Sequence, residues 1–160
     1  MHLDLKSDNV LVDENLFPKL NDFGLSVHIK NISSEENKKI KGTPTHMAPE
    51  IWRNNGYTKK VDVYAFGIAV YEIMTNEKPF ENLKGVFQIV NCVIRLKKRP
   101  DFKYPIPDCY RELIEECWTN DPNDLPSFID IVEKLKNDKR FVKDAFVDED
   151  EFLDFVDLIE

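Results

Sequence analysis

The residues best suited to chemistry lie within the first 24 positions of the chain. Residues 2–9 contain a carboxylate at Asp4, an ammonium group at Lys6 and an amide at Asn9. A carboxylate can accept a proton from an attacking hydroxyl, and a nearby lysine can neutralise charge on a phosphoryl group in transit. A second carboxylate, Asp22, follows within an Asn-Asp-Phe-Gly sequence. These residue types predict a polar site built from two short segments.

A small β-hairpin is expected to bring the two segments together. Apolar runs at residues 10–12 and 17–20 flank a polar stretch, which is the pattern of two strands and a turn. Such a hairpin folds Asn9 back toward Asp22. Magnesium takes one or two protein oxygens and completes its shell with phosphate and water, so the pair suits this cation. The sequence therefore predicts a magnesium site at Asn9 and Asp22.

Helical patterns dominate the rest of the chain. Residues 61–75 are apolar nearly all round, which predicts a helix buried within a domain. Apolar spacings of three and four predict further helices over residues 83–96, 110–119 and 127–135. Residues 30–42 are polar without a period and predict a mobile loop. The predicted fold class is therefore α+β, mostly helical with one small hairpin.

Composition restricts the possible classes of protein. With 160 residues, 42% hydrophobic and 32% charged, the chain is expected to form one globular domain or part of one. The longest apolar run has nine residues, too few to cross a bilayer, and no secretory signal begins the chain. We therefore expect a cytoplasmic protein without a membrane partner.

The net charge of −8 is concentrated at the carboxy terminus. Residues 144–160 contain eight acids and no base, while the preceding residues hold 22 charges of each sign. A balanced body lacks the clustered positive charge that nucleic-acid binding requires, so no nucleic-acid partner is expected. The acidic end also places Phe152, Phe155, Val156 and Ile159 on one helical face. Binding of a partner there and a frayed tail are both open interpretations.

The residues around Asp4 and Asp22 resemble motifs of the protein kinase family. Its catalytic loop reads His-Arg-Asp-Leu-x-x-x-Asn, and its metal-binding element is Asp-Phe-Gly. Further motifs follow in the family's order: Gly42-Thr43, Met47-Ala-Pro-Glu50, Asp62-Val-Tyr-Ala-Phe-Gly67, Cys117-Trp118, Asp121-Pro122 and Pro126-Ser-Phe128. The last three are similar to the closing helices of the tyrosine-kinase-like branch.

The resemblance implies a fold and a domain organisation. Residues 1–140 would form a partial kinase catalytic domain, the C-terminal lobe from the catalytic loop onward, and residues 141–160 an acidic tail. A glycine-rich loop is not present, because the five glycines are never closer than eleven residues. The N-terminal lobe is therefore expected to be absent from this chain.

The resemblance also implies roles for individual residues. Asp4 would orient the substrate hydroxyl and accept its proton, while Asn9 and Asp22 would hold the magnesium ions that bridge the ATP phosphates. Lys6 would neutralise charge on those phosphates. Lys6 together with Thr43 is the pattern of serine/threonine-specific members. Asp62 would accept backbone N–H bonds from the catalytic loop.

Two function classes follow from this resemblance. The first is a protein serine/threonine kinase that uses ATP and magnesium, acts on protein substrates and serves signal transduction. The second is an inactive, truncated kinase lobe that acts as a protein-binding module. Asp4, Lys6, Asn9 and Asp22 favour the enzyme, since a scaffold has no chemical need for all four. The isolated chain is expected to have little activity, because half of the positioning apparatus is missing.

Several positions call for separate expectations. His2 is expected to be structural, packing beneath Phe23, whereas His28 and His46 are expected to be ordinary surface or loop residues. Leu3 replaces the arginine that pairs with a phosphorylated activation loop in many relatives, which weakens the case for control through Ser33 and Ser34.

Leu125 occupies the position of the arginine that commonly pairs with Glu50. Glu50 is then expected to lack its usual partner, and the substitution Leu125→Arg is expected to raise the melting temperature.

Overall fold

The computed structural model describes residues 1–31, 40–53 and 58–143. Its two strands, β1 (Val10–Val12) and β2 (Pro18–Leu20), pair antiparallel with Val10 opposite Leu20. Asp13 closes the turn, because its carboxylate accepts hydrogen bonds from the amides of Asn15 and Phe17. The predicted hairpin is confirmed.

The described residues are otherwise mostly helical, in agreement with the predicted α+β class. The helices are α1 (Pro49–Trp52), α2 (Lys60–Thr75), α3 (Val86–Val90), α4 (Asp108–Cys117), α5 (Phe128–Asn137) and α6 (Arg140–Lys143). A π-helical turn, Asn91–Arg95, continues α3. Short 3₁₀ turns lie at Ser7–Asn9, Phe23–Leu25, Ile29–Asn31 and Pro44–His46. No helix in these described ranges is both long enough and apolar enough to span a membrane.

Helix α2 forms the centre of the core, as its apolar pattern predicts. Its side chains Tyr64, Ile68 and Tyr71 are almost completely buried, and the helix packs against α4. A Cβ atom added at Gly67 would lie 2.7 Å from Cβ of Cys117, so the glycine allows the close approach of the two helices. Because most of its residues between Val61 and Tyr71 are buried, α2 is a rigid base for the segments that contact it.

Two of the other predicted helices are found nearly as expected, and one begins later. Helix α3 starts at Val86 rather than at residue 83, because Gly85 has a φ of +117°, which a right-handed helix does not allow. Helix α5 begins with a capping box, in which Ser127 and Asp130 exchange side-chain and backbone hydrogen bonds. Helix α4 begins two residues before its predicted start at residue 110.

The buried core includes residues from the start of the predicted acidic tail, 141–160. Phe141 and Val142 in α6 are buried, and the hydroxyl of Tyr110 donates to the Phe141 carbonyl at 3.1 Å. The remainder of the acidic end, including its apolar face, lies outside the described residues. Ser33, Ser34 and most of the predicted mobile loop also lie outside them.

Candidate active site

Asp62 fixes the start of the predicted catalytic loop, residues 2–9, onto the core. Its two carboxylate oxygens each accept one backbone N–H bond at 2.8 Å, Oδ2 from His2 and Oδ1 from Leu3. Asp62 lies in the first turn of α2 and is itself buried. The predicted role of Asp62 is confirmed, and the backbone directly before Asp4 is thereby held in place.

The backbone is strained at this point and closely approached by a second segment. Leu3 has a φ of +67°, a left-handed conformation that costs a leucine on the order of 1–3 kcal/mol. A Cβ atom at Gly42 would lie only 2.6 Å from the Leu3 carbonyl oxygen, and Gly42 has a φ of +110°. Only glycine fits there without a shift, which lets the following residue reach Asp4.

Asp4 is the centre of a cluster of polar contacts. Its Oδ1 atom accepts hydrogen bonds from the Thr43 amide at 2.8 Å and from the Thr43 hydroxyl at 2.7 Å. Asn9 donates through Nδ2 to the Asp4 carbonyl at 2.7 Å, and Lys6 Nζ lies 3.9 Å from Asp4 Oδ2. The structure therefore brings together Asp4, Lys6, Asn9 and Thr43, four of the residues singled out from the sequence.

Asp22 has no direct contact with this cluster among those of the described residues, and its segment is attached to Asn9 through the hairpin. The amide of its neighbour Asn21 donates to the Asn9 carbonyl at 2.9 Å, directly beyond the strand pair. Asp22 itself has a φ of +57°, and its exposed carboxylate accepts a hydrogen bond from the Gly24 amide at 3.3 Å. The backbone of the Asp-Phe-Gly segment is thus attached to the end of the catalytic loop.

The donor set fits magnesium chemically. Because Nδ2 of Asn9 is already a donor to Asp4, Oδ1 is the atom of this amide that can coordinate a cation. With the carboxylate of Asp22, it offers hard oxygen ligands. No cluster of three or more His, Cys, Asp or Glu side chains able to hold a metal lies within the described residues. Magnesium bound by one or two protein oxygens and by substrate phosphates needs no such cluster.

His2 has the structural role predicted for it. The ring is buried and packs edge-on against Phe23 with 5.0 Å between ring centroids, and its Nε2 atom lies 3.0 Å from the Asn21 carbonyl. His28 is exposed, as expected. Phe23 remains 60% exposed on the side away from His2.

His46 is not the ordinary surface or loop residue that the sequence predicted. Its ring is only 5% exposed, and Nε2 lies 3.2 Å from Oε2 of Glu72. The 3₁₀ turn that begins at Pro44 turns this side chain inward toward α2. The sequence prediction for His46 was wrong, because the burial of this ring depends on how the Pro44–His46 turn lies on α2, which local sequence does not show.

Glu72 and Ser7 are functional candidates that sequence reasoning missed. The Ser7 hydroxyl donates to Glu72 Oε2 at 2.6 Å, and the Ser7 amide donates to the same atom at 3.3 Å. Burial alone would raise the pKa of Glu72, but hydrogen bonds from His46 and Ser7 outweigh it and lower the pKa below its usual value. The sequence does contain a signal for Glu72, because it is a glutamate inside the apolar run of α2.

A cavity of about 570 Å³ opens beside these residues. It is lined by the catalytic loop at Lys6 and Asp8, by Thr43 and His46, and by Glu72 of α2. Two of its lining residues, Lys6 and Thr43, contact Asp4.

Glu50 lacks its expected partner. The residue is 6% exposed, and its Oε1 atom is fully buried without a hydrogen-bond partner among the described residues. Burial raises the pKa of Glu50, although the positive charges of Arg53 and Arg99 act in the opposite direction. The expectation drawn from Leu125 is confirmed in this respect.

The motifs and the geometry around Asp4 agree with a comparison to known families. A model described as the protein kinase domain matches residues 1–136. The chain belongs to the protein kinase family.

Individual relatives come from Dictyostelium discoideum. The chain is 42% identical over 137 residues to the probable serine/threonine-protein kinase drkC, covering 85% of this chain and 18% of that protein. It is 42% identical over 135 residues to the dual specificity protein kinase shkD, covering 84% and 18%. It is 36% identical over 163 residues to the dual specificity protein kinase shkC, covering 94% and 32%. The chain thus spans between 18% and 32% of the length of these curated relatives.

Proposed function

We propose that this chain is the C-terminal-lobe part of a protein serine/threonine kinase that transfers the γ-phosphoryl group of ATP to a protein hydroxyl. The observation that carries the proposal is the set of contacts around Asp4, which include two hydrogen bonds from Thr43 and one from Asn9. Asp4 orients the substrate hydroxyl and accepts its proton as the phosphoryl group is transferred. The Oδ2 atom, which lies 3.9 Å from Lys6 Nζ and accepts a long hydrogen bond of 3.5 Å from Asn9 Nδ2, has a second lone pair for this proton.

We assign the binding of nucleotide and metal to residues of the same two segments. Asn9 and Asp22 supply oxygen ligands for magnesium, and Lys6 neutralises charge on the phosphoryl group next to Asp4. When bound, magnesium neutralises the phosphate oxygens and increases the electrophilicity of the γ-phosphorus. The hairpin positions these ligands, because it attaches the backbone before Asp22 to Asn9.

The proposed acceptor is serine or threonine, and the proposed location is the cytoplasm. Lys6 and Thr43 follow the serine/threonine pattern, and their contacts with Asp4 would place a substrate hydroxyl between them. Two of the relatives bear names with dual specificity, so tyrosine is the competing acceptor. A role in signal transduction is inferred from the same family membership.

The test is radiolabelled phosphotransfer from ATP by the longest product of the coding sequence that contains residues 1–160. We expect transfer that depends on Asp4, and an Asp4→Asn variant should lose it by a factor of at least about 10². Asp124→Asn, which changes an exposed carboxylate outside the cavity and outside residues 2–9, is the matched control. Equal activity of Asp4→Asn and wild type would refute the assignment of Asp4. Phosphoamino-acid analysis that found phosphotyrosine alone would refute the proposed acceptor.

The 160-residue chain by itself should transfer little phosphate. The sequence contains no glycine-rich loop, and positioning supplies most of the catalysis in this class. Robust transfer by this chain that is abolished by Asp4→Asn would show that the described lobe positions ATP unaided.

A second candidate function is a binding module without catalysis. Its support is the exposed apolar surface of the hairpin side, formed by Leu11, Val12, Leu16, Leu20 and Phe23. A cavity of about 690 Å³ adjoins it, lined by Met1, Phe23, Val27 and Phe128 among others. Such a surface marks an interaction site in a folded protein. The phosphotransfer assay separates the two functions, because a binding module gives no Asp4-dependent transfer from any product.

A further inference from the structure

A closed ring of hydrogen bonds links Asp4 to helix α2. Asp4 accepts from Thr43, and the Thr43 carbonyl accepts from the His46 amide at 2.9 Å. The His46 imidazole contacts Glu72 at 3.2 Å, and Glu72 accepts from Ser7 at 2.6 Å. Ser7 follows Asp4 by three residues in the same loop, so the ring closes through the backbone.

Both nitrogen atoms of the His46 imidazole have hydrogen-bond partners. A carboxylate only accepts hydrogen bonds, so Nε2 of His46 must be the donor to Glu72. In the neutral ring Nδ1 then accepts from the Thr45 hydroxyl at 3.0 Å. The contact with Glu72 is a charge-assisted hydrogen bond, because its acceptor is a carboxylate.

We infer that His46 is a positioning residue for phosphotransfer. It holds Ser7 through Glu72 and the Thr43 carbonyl through its own amide, so both segments stay in register with Asp4. The consequence for catalysis rests on the proposed function, because it requires Asp4 to be the proton acceptor. The coupling between His46 and the two loop segments does not require it.

Other charges near His46 are few or already paired. The catalytic loop and the segment after α2 contribute Lys6, Asp8, Glu77, Lys78 and Glu81 to the same cavity. Glu77 and Glu81 lie 3.1 Å and 3.6 Å from the ammonium group of Lys103. Helix α3 also packs against this turn, but Val86–Val90 carries no titratable side chain. Glu72 is thus the charge in direct contact with the imidazole.

The coupling can be measured by NMR on the full 160-residue chain without ATP. The chain has three histidines, so the ring signal of His46 is identified by its loss in His46→Gln. In His46→Gln the Ser7 and Thr43 amide signals should both shift from their wild-type positions. Their hydrogen exchange should be about fivefold faster than in wild type, as expected for the loss of one hydrogen bond.

Three variants complete the experiment. Glu72→Gln keeps the size of the side chain but removes its charge, and it should cause the same faster exchange at Ser7 and Thr43 as His46→Gln. His28→Gln replaces an exposed histidine and should leave both amides unchanged. Wild-type exchange at Ser7 and Thr43 in a folded His46→Gln or Glu72→Gln variant overturns the inference. Either variant decides this if the other does not fold, and the result is independent of any phosphotransfer assay.

Discussion

The orphaned carboxylate of Glu50 gives the sharpest test of the packing. Leu125→Arg places a guanidinium at the position where the family's arginine pairs with this glutamate. Glu50 is close enough to Asp121 and Arg99 for their charges to act on its pKa, so it faces the segment that leads to Leu125. The substitution should supply the missing donor for the buried Oε1 atom.

Two opposing effects determine the magnitude. Pairing a buried carboxylate that has no hydrogen-bond partner should contribute about 3–5 kcal/mol. Leu125 is only 4% exposed, so losing its packing should cost about 2–4 kcal/mol. The net gain of about 1 kcal/mol corresponds to a rise of about 2–4 °C in the melting temperature for a chain of this size.

A double-mutant cycle with Glu50→Gln separates these two effects. In the Glu50→Gln background the new guanidinium has no charged partner, so Leu125→Arg should lower the melting temperature. Thermal unfolding of all four proteins by circular dichroism gives the coupling energy. An equal change in both backgrounds would show that the new side chain does not reach Glu50, and the reasoning would fail.

The gain in stability from Leu125→Arg should also depend on pH. Burial raises the pKa of Glu50 above its ordinary value of 4.5, so the folded state binds this proton more tightly than the unfolded state. In the wild type, the contribution of Glu50 to the free energy of unfolding is therefore fully present below pH 4.5. It is lost as pH rises through the pKa of Glu50 in the folded state. The benefit of Leu125→Arg should appear above that window and vanish below it, where only the packing loss remains.

Two further substitutions test the fold that supports the site. Asp62→Ala removes two charge-assisted hydrogen bonds that join residues 60 and 59 positions apart, and it should lower the free energy of unfolding in urea by about 3–5 kcal/mol. Asp8→Ala, at an exposed position, should change it by less than about 0.5 kcal/mol, and a similar small effect of Asp62→Ala would refute the anchor. Gly67→Ala should cost about 1–3 kcal/mol, because the added Cβ would meet Cys117; an unchanged urea midpoint would contradict the packing of α2 on α4.

Local patterns predicted the elements but not all of their boundaries. The apolar run of α2 and the alternation around the hairpin turn are short-range signals, and both elements appear where they were expected. The start of α3 depends on Gly85, whose positive φ is set by the preceding turn and cannot be read from apolar spacing. Propensity alone therefore placed that helix too early.

The site shows the same division between local and long-range information. The motif residues Asp4, Asn9 and Thr43 were identified because family spacing fixes them, and the structure brings them into contact. His46 and Glu72 are 26 positions apart, and their contact depends on how the Pro44 turn lies on α2. Such a pairing is a property of tertiary packing, so a single sequence without related sequences could not reveal it.

The positive φ values at the site explain why the catalytic loop needs the core. Leu3 and Asp22, directly before Asp4 and before Phe23, both adopt left-handed conformations that a free peptide would avoid. Asp62 offsets the strain at Leu3 by accepting its amide, and Asp62 itself is fixed in the first turn of the buried helix α2. The positions of Asp4 and its partners are therefore a consequence of α2 packing, and residues 1–31 as an isolated peptide would not retain them.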